Sequence, residues 1–347
     1  MRDSAGEAGG MTGAFITGCA GLQLGNDEVA FLREAQPWGL ILFARNVDTP
    51  EQIKALTGQF RDIVGRADAP VLIDQEGGRV QRMRPPNWRK YPPGRAYARL
   101  YEQDAVAGLR ATRAVYRLLA KDLSEVGINV DCVPVLDVPQ PGSHDIIGDR
   151  AYGMSAEQVA LLGRAAAQGL MDSGVLPVIK HIPGHGRAFA DSHLELPVVD
   201  APRDELERVD FAPFAALADI PMAMTAHVVY SALDPDNCCT LSSTVIGEVI
   251  RGQIGFDGLI MSDDLSMKAL KGSFRERGER AIAAGCDVLL HCNGDMAEMV
   301  EVAAAAGRLA GQAERRAHRA LSFLRVPDEF DLAGAEMTLE ALTGPVS

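Results

Sequence analysis

One stretch decides the fold: residues 253–264, which read Gln253-Ile254-Gly255-Phe256-Asp257-Gly258-Leu259-Ile260-Met261-Ser262-Asp263-Asp264. Gly255 is the residue type that ends a helix in the left-handed conformation. The apolar run after Gly258 is typical of a buried parallel strand. That strand ends on two carboxylates, Asp263 and Asp264. A helix stop, a buried strand and a polar ending therefore follow one another in one short segment.

The same order repeats along the chain, because short apolar runs alternate with longer amphipathic segments. The predicted strands are Ala14–Thr17, Gly39–Phe43, Val71–Ile73, Ile128–Val135, Pro177–Ile179, Met222–Thr225, Gly258–Met261 and Asp287–Leu290. The amphipathic segments include Pro50–Val64, Ala105–Val126, Ala156–Ser173, Ala201–Ala218 and Ser242–Gly255. Gly127, Gly174 and Gly285 repeat the helix stop before other strands.

Alternation of strands and helices indicates a parallel sheet with crossover helices, and eight such units favour a closed α/β barrel, the (β/α)8 TIM barrel. An open doubly wound sheet is the alternative. The first predicted strand is not followed by a glycine-rich dinucleotide fingerprint, which disfavours that alternative. We expect a single barrel domain over residues 13–325, with a flexible leader over 1–12 and a C-terminal extension over 326–347.

Composition and charge narrow the class of protein. The chain has 347 residues, of which 47% are hydrophobic and 23% are charged, an ordinary globular composition. Its formal net charge is −13. Nucleic-acid binding requires clustered Lys and Arg side chains, so a nucleic-acid partner is disfavoured. A small, uncharged or weakly charged substrate and a monomeric protein are expected instead.

The cysteines and the N-terminal region bear on localisation. The cysteines are Cys19, Cys132, Cys238, Cys239, Cys286 and Cys292. They show no Cys-x-x-Cys spacing, which disfavours a structural zinc site and is typical of buried thiols in a reducing compartment.

Thr17-Gly18-Cys19 faintly resembles a lipoprotein cleavage site, but the apolar stretch before it is too short for a signal peptide. No apolar run reaches the roughly 18 residues of a membrane span, so a cytoplasmic protein without membrane contact is expected.

Polar side chains follow most of the predicted strands. The endings are Asp74-Gln75-Glu76, Asp137, Lys180-His181, Thr225-Ala226-His227, Ser262-Asp263-Asp264 and His291-Cys292-Asn293. A TIM barrel carries its chemistry at the carboxyl ends of its strands. So many polar endings at one face favour an enzyme over a structural or purely binding barrel.

The loop after the fifth strand is the most specific segment. It reads Lys180-His181-Ile182-Pro183-Gly184-His185-Gly186-Arg187-Ala188-Phe189-Ala190-Asp191-Ser192-His193. Its proline and glycines disfavour a helix, so His181 and His185 are not expected to form an i, i+4 zinc pair. A metal held by His181, His185 and Asp263 is the alternative for these histidines. Asp191 and His193 are spaced to hydrogen-bond, which suits an imidazole that donates a proton and later takes one back. The alternative is a solvated loop in which Asp191 binds local backbone.

Asp263 closes an apolar strand, where a carboxylate is costly unless it has partners. Lys180 and Arg150 are the expected partners. Because successive side chains of a strand point to opposite faces, Asp264 is expected to point away and to bond backbone or cap the next helix.

These segments together resemble glycoside hydrolase family 3, and within it the bacterial single-domain β-N-acetylglucosaminidases of peptidoglycan recycling. The matching stretches lie at residues 40–46, 74–82, 133–138, 147–152, 180–193, 226–231 and 255–267. The resemblance runs from about Gly13 to about His318. Among small departures, Ile182 stands where the family usually has Phe. The combination of the long histidine loop with Ser-Asp-Asp-Leu-Ser-Met at 262–267 is highly specific.

The resemblance implies a retaining, exo-acting β-N-acetylglucosaminidase that acts on muropeptide fragments and needs no metal or organic cofactor. It implies that Asp263 is the nucleophile and His193 the acid/base, with Asp191 as the partner of His193. It further implies that the terminal N-acetylglucosamine is held by Asp74, Arg82, Arg150, Lys180 and His181.

Several alternatives stay open at this point. They are a broader family-3 β-glycosidase, a barrel lyase or isomerase with Lys180 as a Schiff base, and a non-catalytic carbohydrate-binding barrel. The acceptor also stays open between water and phosphate, because a histidine acid/base lacks the negative charge that would repel phosphate.

Overall fold

The computed structural model describes residues 12–142, 145–188 and 196–344. In chain order the strands are β1 (Gly13–Thr17), β2 (Pro37–Leu42), β3 (Val71–Ile73), β4 (Gln75–Gly77), β5 (Val80–Gln81), β6 (Val130–Asp131), β7 (Leu176–Ile182), β8 (Val198–Val199), β9 (Met222–Thr225), β10 (Val229–Tyr230), β11 (Leu259–Asp264) and β12 (Val288–His291). The α-helices are α1 (Asn26–Ala35), α2 (Pro50–Val64), α3 (Gly94–Gln103), α4 (Ala105–Ser124), α5 (Ala156–Asp172), α6 (Arg203–Val209), α7 (Ala212–Ala216), α8 (Phe274–Ala284), α9 (Met296–Ala306), α10 (Gly311–Leu321) and α11 (Leu332–Thr343).

Parallel strands close into a barrel in the order β1-β12-β11-β9-β7-β6-β3-β2. The closing pair is β1 with β2, where Thr17 lies opposite Leu40. Each predicted strand overlaps one strand of this barrel, so the predicted (β/α)8 TIM barrel in a single domain is confirmed. The strands are mostly apolar before their carboxyl ends, because helices cover the barrel's outer face and side chains fill its interior.

The helix stops lie where the sequence predicts them. Gly127, Gly174, Gly255 and Gly285 have φ angles of 82°, 78°, 74° and 116°. These positive angles are strained for residues with a Cβ atom, which is why glycine ends these helices. The chain then turns directly into the next barrel strand.

Two predicted helices differ from the prediction. Residues 201–218 form two short helices, α6 and α7, because Pro213 stands at the start of α7 and has no N–H with which to continue an earlier helix. Residues 242–255 contain a π-helix at Val245–Gln253, and a short 3₁₀ helix at Cys239–Leu241 precedes them. Hydrophobic periodicity marks both segments as helical but does not distinguish these variants.

Two small sheets at the carboxyl ends of the barrel strands were not predicted. The hairpin β4–β5 turns through Gly77 and Gly78, whose φ angles are 93° and 57°. The parallel pair β8–β10 joins Val198 to Val229. Both sheets lie in loops that follow barrel strands, and the β4–β5 hairpin contributes to the site described below.

The C-terminal segment packs against the barrel's helices. α11 lies against α4, and the Arg117 guanidinium lies 4.6 Å from the centre of the Phe330 ring. Residues 1–11, most of the expected leader, lie outside the described residues. Within the part of the chain that is described, no helix is long and apolar enough to cross a membrane. All six cysteines are buried free thiols, as predicted.

Candidate active site

A cavity of about 260 Å³ opens at the carboxyl ends of the barrel strands. Its walls include Asp74, Arg82, Arg150, Lys180, His181 and Asp263. The structure therefore brings together every residue that was predicted to hold the sugar, along with the predicted nucleophile. Asp191 and His193 lie outside the described residues, so their roles stay predictions.

An ion-pair network forms one side of the cavity. Lys180 Nζ lies 2.8 Å from a carboxylate oxygen of Asp74 and 2.8 Å from one of Glu76. Arg82 binds the second oxygen of Asp74 at 3.1 Å. Arg150 binds Glu76 through two hydrogen bonds of 2.7 Å, one to each oxygen. Alternating charges thus hold these side chains in a single arrangement.

The network keeps its members charged. Burial by itself raises the pKa of Glu76, but Arg150 and Lys180 outweigh burial and bring that pKa down to about 2. Burial also opposes the charge of Asp74, yet Lys180 and Arg82 hold its pKa below the ordinary value. The two carboxylates raise the pKa of Lys180 despite its burial. A lysine held as ammonium is a poor nucleophile, which disfavours the Schiff-base alternative.

The predicted partners of Asp263 are therefore corrected. Lys180 and Arg150 were expected to pair with Asp263, but their ion pairs are formed with Asp74 and Glu76. The sequence places Glu76 among the polar strand endings but indicates no role for it in the site. Its position could have been inferred, because it follows a strand end and lies two residues beyond Asp74.

Asp263 and Asp264 end β11 and both line the cavity. This differs from the prediction that alternation turns Asp264 away. Pairing between β11 and β12 shifts register between Met261 and Asp264, which breaks strict alternation. The carboxylate of Asp264 accepts hydrogen bonds from the backbone N–H groups of Ser266 and Cys292 at 3.0 and 3.2 Å. The predicted backbone-bonding role of Asp264 is confirmed.

The hairpin β4–β5 positions Arg82. The buried Gln75 side chain accepts hydrogen bonds from the backbone N–H groups of Arg82 and Met83, and donates one to the Met83 carbonyl oxygen. A Cβ atom on Gly77 would lie 2.3 Å from the backbone oxygen of Pro92, so the hairpin requires glycine there. These contacts bring the backbone after the hairpin back to the cavity and place Arg82 beside Asp74.

Asp137 organises the start of the histidine loop. One of its oxygens lies 2.7 Å from His181 Nδ1, and the other accepts from the backbone N–H groups of His181 and His185. His181 Nδ1 therefore carries a hydrogen, and Nε2 is the ring nitrogen left for other partners. Burial and the neighbouring His181 lower the pKa of His185 to about 4, so its ring is neutral. The sequence identifies Asp137 as a polar strand ending but does not indicate its partner.

The loop also passes close to its neighbours. A Cβ atom on Gly186 would lie 2.1 Å from the backbone oxygen of Val138. The His181 and His185 rings lie with their centres 5.7 Å apart and tilted by 60°. These residues are not on a helix, in agreement with the sequence. Among residues 12–142, 145–188 and 196–344, no group of three His, Cys, Asp or Glu side chains is arranged to hold a metal ion.

Comparison with known proteins identifies the family. The model of the glycosyl hydrolase family 3 N-terminal domain matches residues 17–322, and the chain belongs to this family. It is 40% identical over 287 residues to a beta-hexosaminidase of Alkalilimnicola ehrlichii, a match that covers 82% of this chain and 81% of that protein. A beta-hexosaminidase of Bordetella pertussis is 39% identical over 293 residues, with 82% of each chain covered.

A solved structure of similar fold is that of native NagZ from Neisseria gonorrhoeae. The two superpose with a TM-score of 0.86 at 32% identity, and the match covers 96% of this chain and 98% of that one. The fold, the family and the similar proteins all indicate the same enzyme class. The expected enzyme class, a glycoside hydrolase of the β-N-acetylhexosaminidase type, is confirmed.

Proposed function

We propose that the chain is a retaining, exo-acting β-N-acetylglucosaminidase that removes terminal β-linked N-acetylglucosamine from peptidoglycan fragments such as GlcNAc-anhydroMurNAc muropeptides. The observation that carries this proposal is the presence of the Asp263 carboxylate and the Asp74–Lys180–Glu76–Arg150 network in one small cavity. Its volume of about 260 Å³ lies below the about 300–1,000 Å³ typical of drug-sized ligands. A single sugar residue suits a cavity of that size.

The substrate class has support from a relative. NagZ from Neisseria gonorrhoeae has been solved in complex with N-trifluoroacetyl-D-glucosamine, an N-acyl amino sugar, and shares 31% identity with this chain. Sugar hydroxyls are held well by charged groups, because such hydrogen bonds are stronger than neutral ones. Asp74 and His181 offer acceptors, whereas Arg82 and Lys180 offer donors. We assign these residues and Arg150 to binding of the terminal sugar.

The reaction proceeds in two steps. Asp263 attacks the anomeric carbon while His193 protonates the departing glycosidic oxygen, which leaves a covalent glycosyl-aspartate. His193 then takes a proton from water as the water oxygen attacks the anomeric carbon, and the bond from that carbon to Asp263 breaks, which releases the sugar and regenerates the carboxylate. Asp191 holds the imidazole of His193 in one tautomer and stabilises its charged form. The anomeric configuration is retained because the carbon is inverted twice.

The rival mechanism uses the substrate's own acetamido oxygen as the nucleophile and often needs two adjacent acids. Asp263 and Asp264 superficially offer such a pair, and both line the cavity. However, the Asp264 carboxylate is engaged by Ser266 and by the backbone N–H of Cys292. Because the acid/base role is assigned to His193, one carboxylate is needed for attack, and we assign that role to Asp263.

A chromogenic aryl β-N-acetylglucosaminide tests the activity, and the corresponding aryl β-glucoside is the control for a broader β-glycosidase. A 5-fluoro or 2-fluoro glycoside tests the mechanism, with mass spectrometry of the labelled peptide. We expect the label on Asp263 and loss of turnover in Asp263→Asn. Strong inhibition by a thiazoline analogue without a label on Asp263 would overturn the covalent mechanism.

Two further assays define the physiological reaction. A GlcNAc-anhydroMurNAc muropeptide should be cleaved more efficiently than a chitin disaccharide if peptidoglycan fragments are the substrate. Product analysis in phosphate buffer distinguishes free N-acetylglucosamine from its 1-phosphate, and thus water from phosphate as the acceptor. The buried free thiols fit a reducing cytoplasm. We propose a cytoplasmic monomer, which fractionation and sedimentation would check.

A further inference from the structure

The barrel's hydrogen-bond ladder stops short of the proposed nucleophile. β11 pairs with β9 only from Leu259 to Met261, and its pairing with β12 shifts register between Met261 and Asp264. The backbone at Asp263 therefore lies beyond the regular pairing with β9. A backbone N–H outside the regular strand pairing needs another acceptor, because a buried donor without a hydrogen bond costs free energy.

Side chains supply the missing partners. The backbone N–H of Asp263 donates to Thr225 Oγ1 at 3.2 Å, and Thr225 Oγ1 lies 2.7 Å from Thr240 Oγ1. Thr240 Oγ1 lies 2.7 Å from His227 Nδ1. His227 Nε2 lies 3.0 Å from the backbone oxygen of Asp264. A chain of three side chains thus joins the N–H of one acidic residue to the carbonyl of the next.

The groups at the two ends of this chain of side chains determine which of its atoms carry hydrogens. The carbonyl oxygen of Asp264 only accepts, so His227 Nε2 carries a hydrogen. Where Nδ1 carries no hydrogen, it accepts from the Thr240 hydroxyl, which in turn accepts from Thr225. Thr240 also lies 3.2 Å from the Ala226 carbonyl oxygen, a longer contact than the 2.7 Å to Nδ1. The contact with Nδ1 is the shorter of the two and joins Thr240 to the His227 ring.

We propose that Thr225, Thr240 and His227 are positioning residues that hold the backbone of Asp263 and Asp264 in the geometry for attack on the sugar. The inference rests on the proposed role of Asp263 as the nucleophile. All three side chains are fully buried, so the chain cannot exchange its hydrogen bonds with water. A displacement of about 1 Å at a reacting group can cost about 100-fold in rate. This role accounts for the polar ending of the sixth barrel strand, Thr225-Ala226-His227.

The test compares Thr240→Val with Thr57→Val. Thr57 is also buried and donates its hydroxyl hydrogen to the Val126 carbonyl oxygen at 2.9 Å, but it lies on α2 and does not line the cavity. Both variants lose a buried hydroxyl and should lose similar thermal stability. We expect Thr240→Val to lower the rate of fluoro-glycoside labelling and kcat by about 10- to 100-fold with KM changed less than about threefold. Thr57→Val should keep the wild-type kcat, and Thr240→Ser should restore most of it.

A measurement on the unaltered protein covers the case in which Thr240→Val does not fold. Nitrogen-15 NMR of the histidine side chains should show a hydrogen on Nε2 of His227, with the signal identified by its loss in His227→Ala. A ring without a hydrogen on Nε2, equal kcat in Thr240→Val and Thr57→Val, or no recovery in Thr240→Ser would each overturn the proposal. Absence of label on Asp263 in the wild type would instead overturn the proposed function, and the positioning role with it.

Discussion

Replacing Glu76 by Gln removes one charge from the centre of the cavity's ion network while keeping the side chain's size. Glu76 faces both Arg150 and Lys180, and its side chain is only 6% exposed. Breaking a buried ion pair by removing one partner costs about 3–5 kcal/mol, because the other charge is left uncompensated. The pKa of the Glu76 carboxylate gives a second value for this stabilisation. A fall from the ordinary 4.5 to about 2 corresponds to about 3 kcal/mol of stabilisation.

The sign of the pH dependence follows from the same shift. Since the pKa of Glu76 is lower in the folded chain, its stabilisation is fully present above about pH 4.5 and is lost as the pH falls through about 2. Protonated Glu76 in the wild type is then nearly equivalent to Gln. The difference in unfolding free energy between wild type and Glu76→Gln should therefore be about 3 kcal/mol at pH 7 and shrink by about 2 kcal/mol at pH 3.

Denaturant unfolding at pH 7 and pH 3 measures the difference in unfolding free energy between wild type and Glu76→Gln and its change with pH. Glu125→Gln is the matched control, because Glu125 pairs with Lys121 on an exposed helix face and is 58% exposed. Exposed pairs of this kind contribute about 0.5 kcal/mol or less. A Glu76→Gln protein within about 1 kcal/mol of wild type at pH 7, or a difference that does not change between pH 7 and pH 3, would refute the reasoning.

Three other changes test the site. His193→Ala should slow hydrolysis of poor leaving groups far more than of activated aryl ones, since a good leaving group needs little protonation; equal losses in kcat/KM across a leaving-group series would count against the assignment. Asp137→Asn should raise KM for the aryl glycoside about tenfold or more because His181 loses the carboxylate that orients it, and an unchanged KM would contradict this. Gly186→Ala should lower both thermal stability and activity because its Cβ would lie 2.1 Å from a backbone oxygen, whereas Gly247→Ala, with open space around it, should do neither.

Much of the fold could be predicted because it depends on local patterns. Apolar runs, amphipathic segments and glycine stops such as Gly255 repeat along the chain, and each reports on a few neighbouring residues. The small sheets β4–β5 and β8–β10 could not be predicted in this way. Their strands are only two or three residues long and depend on pairing across loops.

The candidate site shows the same division. The strand endings indicated which residues meet at one face, because parallel strands in a barrel all point their carboxyl ends to the same side. They did not indicate which charges pair. Lys180 was expected beside Asp263, yet it lies between Asp74 and Glu76, more than a hundred residues earlier in the chain.

The sequence by itself determined the barrel, the face that carries the chemistry and the candidate residues, because each follows from local spacing and residue type. Only the tertiary structure decided the pairing of Lys180 with Glu76, of His181 with Asp137, and of His227 with the backbone of Asp264. Ångström-scale contacts between distant segments depend on strand register and loop closure, and the register shift at the end of β11 is not visible in any local pattern.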